Sequence, residues 1–236
     1  MGHAEATDIH DLTAARQFSA PVMTGQAAYT ASFLDGAYDL LVHTLTNHLT
    51  WSCPTKRLVD LYDRNVSADH LDVGVGTGLL LTRCRFPSPS PRVALMDLNE
   101  NALRAAAARI ATLADVTLYR ANVLDPIPLD ARFDSIGLVY LLHCLPGRLE
   151  EKGAAIGHLG ALLKPRGVLF GATILSDRYA AEHLRTRTMA GWLRKKGVFA
   201  NADDTLAGLE TALRAHFTEY HVETVGSVAL FTARKP

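Results

Sequence analysis

The chain has 236 residues, 48% of them hydrophobic, with 24 basic and 24 acidic side chains, which is ordinary globular composition and enough for one sizeable core. A net charge of zero gives no sign of a polyanion partner, so a dedicated nucleic-acid binder is disfavoured. The three cysteines, Cys53, Cys84 and Cys144, are odd in number and widely spaced, which suggests neither a disulfide framework nor a zinc cage.

The opening stretch MGHAEATDIHDLTAARQF is polar, with no apolar signal core, and no run approaches the roughly 18 apolar residues of a membrane span. A reduced cytoplasmic setting is expected. Residues 1–24 read as a loose arm or a short helix. From about Gln26 to Ser52 the apolar positions Leu34, Tyr38, Leu41, Leu45 and Leu49 recur at helical spacing. Pro54 punctuates, and PTKRLVDLYDRNV reads as a second helix with Leu58, Leu61 and Tyr62 on one side.

The pattern then alternates. HLDVGV, PRVALMD, VTLYRANV, FDSIGLVYLL and GVLFGATIL read as strands. Between them GLLLTRCR, NENALRAAAARIATL (opened by an Asn/Glu cap signal) and RLEEKGAAIGHLGALL read as helices. Two more helices are expected near 178–197 and 203–216, then a hairpin turning near Gly226. Such alternation predicts a doubly wound, mostly parallel α/β sheet covered on both faces, with one antiparallel strand from the hairpin at its edge.

The stretch LDVGVGTGLLL carries the chemistry. Gly74, Gly76 and Gly78 let the backbone turn sharply between strand and helix and let a ligand approach without meeting a Cβ. The spacing is G-x-G-x-G, and Leu79 stands where a dinucleotide loop wants its third glycine. Asp72, two residues before the first glycine, would repel a pyrophosphate and attract a cation.

DVGVGTG resembles the first motif of class I S-adenosylmethionine (SAM)-dependent methyltransferases of the small-molecule type, and the resemblance runs from about Tyr29 to the end. It implies a seven-stranded sheet and SAM as cofactor, with S-adenosylhomocysteine (SAH) as product. In VALMDLNENAL, Asp97 matches the acid that takes both ribose hydroxyls and Leu98 the apolar position beside the adenine. In RANVLDP, Asn122 and Val123 match the residues at the adenine edge, Asn122 replacing a frequent aspartate. Asp72, Gly74, Gly76 and Gly78 form the cofactor loop, and Tyr29 and Tyr38 resemble lid tyrosines that touch the SAM carboxylate.

For the acceptor, YLLHC places His143 just past the fourth motif strand, where a histidine suits a general base, a structural role being the alternative. Tyr140 is expected at the methionine end or the acceptor pocket, with strand-end packing as the alternative. LLVHTLTNHLTWSCPT holds no charged residue, which suggests a lid facing a ligand; His48 and Trp51 on its apolar side are candidate acceptor contacts. Met189 and Trp192 would wall the pocket from the segment after the fifth motif strand. The ten histidines show no ligand pattern, so no metal is expected.

The resulting expectation is a helical arm and lid over 1–65, and a SAM-binding core over 66–236 with an acceptor-covering insertion near 176–203. The enzyme would methylate a small molecule, O-methylation of a specialised metabolite leading. N- or C-transfer, an RNA or protein methyltransferase and a non-catalytic SAM-binding protein stay open. A small-molecule acceptor, no nucleic acid and no membrane are the expected partners, with a homodimer left as an option.

Overall fold

The computed structural model describes residues 8–13, 50–177 and 184–236. From Pro54 onward, helix and strand alternate as the periodicity predicts. Helix α1 (Thr55–Asn65) buries Leu58, Leu61 and Tyr62. Strand β2 (Asp69–Val73) is buried at every position. Then come α2 (Leu79–Arg83), β3 (Arg92–Asp97) and α3 (Glu100–Ile110). The Asn99 side chain caps α3 by accepting from the Asn101 and Ala102 N–H groups, as the local signal predicts.

Strands β4 (Asp115–Arg120) and β5 (Phe133–Val139) follow, then a short 3-10 turn over Leu142–Cys144. The helix expected over RLEEKGAAIGHLGALL is instead two, α4 (Leu149–Lys152) and α5 (Ala154–Ala161), separated at Gly153. Strand β6 (Leu163–Ile174), α6 (Leu184–Lys195), α7 (Leu206–Arg214), β7 (Glu219–Val225) and β8 (Val228–Arg234) complete the order. A Cβ on Gly153 would lie 2.8 Å from the Ala212 Cβ, so the glycine lets α7 pack directly against the break.

Near the N-terminus, Ile9–Asp11 form strand β1. Among the described residues the sheet therefore has eight strands, one more than expected, in the order β1-β4-β3-β2-β5-β6-β8-β7. The arm foreseen over 1–24 is in part a strand, pairing in parallel with β4 and pinned by an Asp11–Arg120 ion pair at 3.0 Å. The antiparallel strand is β8, which lies inside the sheet between β6 and β7 rather than at its edge.

The chain winds from β2 through β3 to β4 in one direction, and from β5 to β6 in the other. The switch point is the crevice between β2 and β5, where ligands bind in such sheets. Two apolar layers cover the faces. Leu58, Leu95, Leu103 and Phe170 lead one; Leu71, Met96, Ile136 and Phe231 lead the other. Adjacent strand residues such as Leu95 and Met96 divide between the layers, as a pleated strand requires. Each such side chain contributes about 1.5–3 kcal/mol by burial, which holds the crevice edge rigid. Among the described residues no helix is long and apolar enough to cross a membrane.

Candidate active site

The turn after β2 enters the left-handed region at all three predicted glycines: φ is +70° at Gly74, +52° at Gly76 and +73° at Gly78. Gly78 opens α2 close to α3, where a Cβ would sit 3.1 Å from the Ala106 Cα. A Cβ on Gly76 would meet nothing within 4 Å. Its backbone therefore borders open space, as a ligand cradle needs.

Asp72 is buried, and its Oδ1 accepts a 2.6 Å hydrogen bond from the Tyr62 hydroxyl. The carboxylate that the sequence offers to a cation thus has one oxygen already held from below. At the end of β3, Asp97 is half-buried, and its Oδ1 accepts the Asn99 N–H at 2.8 Å. Burial pushes Asp97 up to about 6, against the pull of the Asn99, Leu98 and Val75 N–H groups and with a smaller push from the Asp72 charge. Leu98 is buried beside it.

Past β4, Asn122 makes a turn: its Oδ1 accepts the Leu124 N–H at 3.2 Å and its Nδ2 donates to Asp125 Oδ2 at 3.0 Å. Its amide is thus engaged by its own loop. Val123 is buried, and its carbonyl accepts from His158 Nδ1 at 3.0 Å. A cavity of about 320 Å³ opens here, lined by Leu12, Thr13, Asn122, Asp125 and Ile127 among others. The strand β1 that periodicity missed delivers Leu12 and Thr13 to it.

Past β5 the chain bends sharply. Tyr140 takes φ +62°, a strained setting for a side chain with a Cβ. Burial first, and the neighbouring Cys53 thiol second, hold its phenol well above the ordinary tyrosine value. The following 3-10 turn presents His143, whose ring meets Phe199 edge-on at 4.6 Å and Tyr140 at 5.5 Å. Trp51, buried, lies 5.6 Å from Phe199. Trp51, Tyr140 and His143, predicted from two distant stretches, therefore pack in one ring cluster with Phe199.

The His143 imidazole is not free to act as a base at neutral pH. The Ile174 N–H can only donate, and it points at Nδ1 at 3.3 Å, so the lone pair is on that side and the proton on Nε2. Burial, followed by the Lys152 charge, pushes His143 down to about 3.

Met189 is half-buried against the core layer containing Phe199. Trp192 is 54% exposed, with Lys196 Nζ 5.9 Å from its ring, so the described residues do not enclose it as a pocket wall. Its position on the outward face of α6 is the reason. Tyr29, Tyr38 and His48 lie outside the described residues. No cluster of metal-ligating side chains occurs among the described residues.

Sequence reasoning missed three groups. Tyr62 holds Asp72. Lys152, on α4, has its side chain fully buried and donates to the Leu142, Leu145 and Ala200 carbonyls, each at 3.1 Å, and to Asp204 Oδ2 at 2.9 Å. Arg109 donates to the Thr77 hydroxyl at 3.0 Å, bracing the glycine loop from α3.

A glycine turn at a switch point, an acid at the end of the next strand and an aromatic cluster past β5 thus lie at the carboxyl ends of the parallel strands. Residues 71–169 match the family model described as a methyltransferase domain. The chain is 42% identical to the demethylluteothin O-methyltransferase of Streptomyces thioluteus, over 90% of this chain and 91% of that protein. It is 35% identical to the physcion biosynthesis cluster O-methyltransferase of Aspergillus chevalieri, over 92% and 97% of the two. The fold matches that of the N-methyltransferase NodS from Bradyrhizobium japonicum in complex with SAH. The TM-score is 0.54 at 16% identity, with 92% of this chain and 100% of that chain covered. The chain belongs to the class I SAM-dependent methyltransferases, and SAM is its cofactor.

Proposed function

We propose that the protein O-methylates a hydroxyl of a specialised, polyketide-like aromatic metabolite. The observation that carries this reading is the cluster of Trp51, Tyr140, His143 and Phe199 rings past β5. It suits a flat aromatic ring and offers a polyanionic acceptor little. The two O-methyltransferase relatives support the same substrate class. SAM supplies the methyl group on a sulfonium. The chain's own residues align the acceptor and keep water out.

In this reading Asp72 and the turn of Gly74, Gly76 and Gly78 hold the methionine end. Asp97 takes the ribose, and Leu98 and Val123 flank the adenine. His143 orients the acceptor oxygen through Nε2–H rather than removing its proton. The acceptor is then a phenol or enol, acidic enough to react as its anion. The enzyme works in the cytoplasm on a free small molecule, without nucleic acid or membrane.

The test is turnover of demethylluteothin with SAM, read by mass spectrometry for one added methyl on oxygen. The pH profile of kcat/KM should follow the ionisation of the acceptor hydroxyl. His143→Asn, which keeps an acceptor for the Ile174 N–H, should leave that profile in place. A neutral-pH limb that disappears in His143→Asn would restore the histidine as base. Methyl on nitrogen or carbon across a metabolite panel would overturn the O-transfer reading.

A further inference from the structure

The polar chain around Asp72 belongs to neither the cofactor contacts nor the acceptor cluster, and Tyr62, His70 and Ser135 in it are buried. Tyr62 is 2% exposed and His70 fully buried. The Tyr62 hydroxyl donates to Asp72 Oδ1 at 2.6 Å, and His70 Nε2 lies 3.5 Å from the same oxygen. On the far side of the imidazole, Nδ1 is 2.8 Å from Ser135 Oγ, which also accepts the Ser67 N–H at 2.9 Å. A lone pair on Nε2 would face the carboxylate, so the proton sits there and Ser135 donates to Nδ1.

Both rings are fixed by a third. Tyr62 meets Phe170 edge-on at 5.0 Å, and His70 stacks on it at 5.7 Å. Gly137, on the neighbouring strand, leaves the room: a Cβ there would lie 2.7 Å from Asp72 Oδ1 and 3.3 Å from His70 Cε1. A core that only needed filling would take apolar side chains here at lower desolvation cost. Instead the Tyr62 hydroxyl donates to one oxygen of the carboxylate that fronts the glycine loop, and the His70 ring stands 3.5 Å from the same oxygen, short of a hydrogen bond.

We propose that Tyr62 and His70 are positioning residues for the cofactor: the Tyr62 hydroxyl holds Asp72 Oδ1 and the His70 ring braces it from 3.5 Å, which leaves Oδ2 turned to the cationic amino-acid end of SAM. The inference rests on the assignment of SAM to this cleft. It separates the two ends of the ligand, because adenosine carries the ribose and adenine but not the amino-acid end.

The experiment is calorimetry of SAH and of adenosine on the full chain, wild type and Tyr62→Phe, with melting temperatures alongside. Tyr62→Phe keeps the ring against Phe170 and loses only the hydroxyl. SAH should bind about 10-fold more weakly, the scale of one charge-assisted hydrogen bond, while adenosine is unchanged. His70→Phe, which also keeps the stack, serves as the second variant and should move SAH in the same direction. Unchanged SAH affinity in both variants, or equal losses for SAH and adenosine, would overturn the clamp. A wild-type chain that binds neither ligand would overturn the cofactor assignment itself, and the clamp with it.

Discussion

Asp97 shows how a single carboxyl can set the working pH of the cleft. Burial lifts it to about 6, and three backbone N–H groups only partly offset that lift. An unfolded aspartate titrates near 3.8, so the folded value is the higher one. The stability that the neutral acid lends the ligand-free fold is complete below about 4 and is lost as pH rises through about 6. With Asp97 in the proposed ribose role, ligand binding has the opposite sign, because a diol needs the ionised form with both oxygens accepting. SAH affinity should therefore fall as pH drops below about 6, by up to roughly tenfold per unit. Calorimetry between pH 5 and 7.5 reads this directly, and Asp97→Asn should flatten the profile while binding more weakly at neutral pH. A wild-type profile already flat down to pH 5 would remove Asp97 from ribose recognition.

At the level of elements, α4 is held to the acceptor side by one ammonium. Lys152 joins α4, the turn that carries His143 and the stretch over 200–204 through three carbonyls and Asp204. Burial pushes Asp204 up to about 6, against the pull of Lys152. Lys152→Met leaves that carboxylate buried without its partner, which costs about 3–5 kcal/mol. For a chain of this length the midpoint should fall by about 10 °C in a thermal melt. Lys152→Met with Asp204→Leu should recover only the part due to the stranded carboxylate, since the Leu142, Leu145 and Ala200 carbonyls still lose their donor. A single substitution as stable as wild type would refute the hub.

The elements differ in how plainly the sequence announces them. The strand ends that carry Asp72, Asp97 and Tyr140 were legible, because each couples an apolar run to a glycine, an acid or a turn. Lys152 was not: in RLEEKG it reads as a solvated helix face, and only the fold brings three carbonyls around it. Tyr62 reads as one more apolar position of α1, its hydroxyl hidden by the periodicity. The 54% exposure of Trp192 was not legible either, since an aromatic at helical spacing does not reveal which face of α6 turns outward. Strand β1 spans three residues, too few to show a period, and its place depends on Arg120, far along the chain.

At the scale of the whole molecule, the parallel sheet gathers distant residues onto one rim. Asp72, Asp97, Asn122 and Tyr140 come from four strands that stand side by side in the order β4-β3-β2-β5. That rim exists only in the folded chain, so a ligand that bridges it stabilises the native state by mass action. At 100 times its dissociation constant SAH should add about 2.7 kcal/mol, a shift of roughly 5–10 °C for a chain of this size. NAD has the same adenosine but brings a pyrophosphate to a loop fronted by Asp72, with Leu79 in place of the third glycine. At equal concentration it should shift the midpoint by less than about 1 °C. A thermal-shift titration separates the two. An NAD shift equal to that of SAH would mean that the rim reads adenosine alone, with the carboxylate ahead of the glycines taking no part in selecting charge.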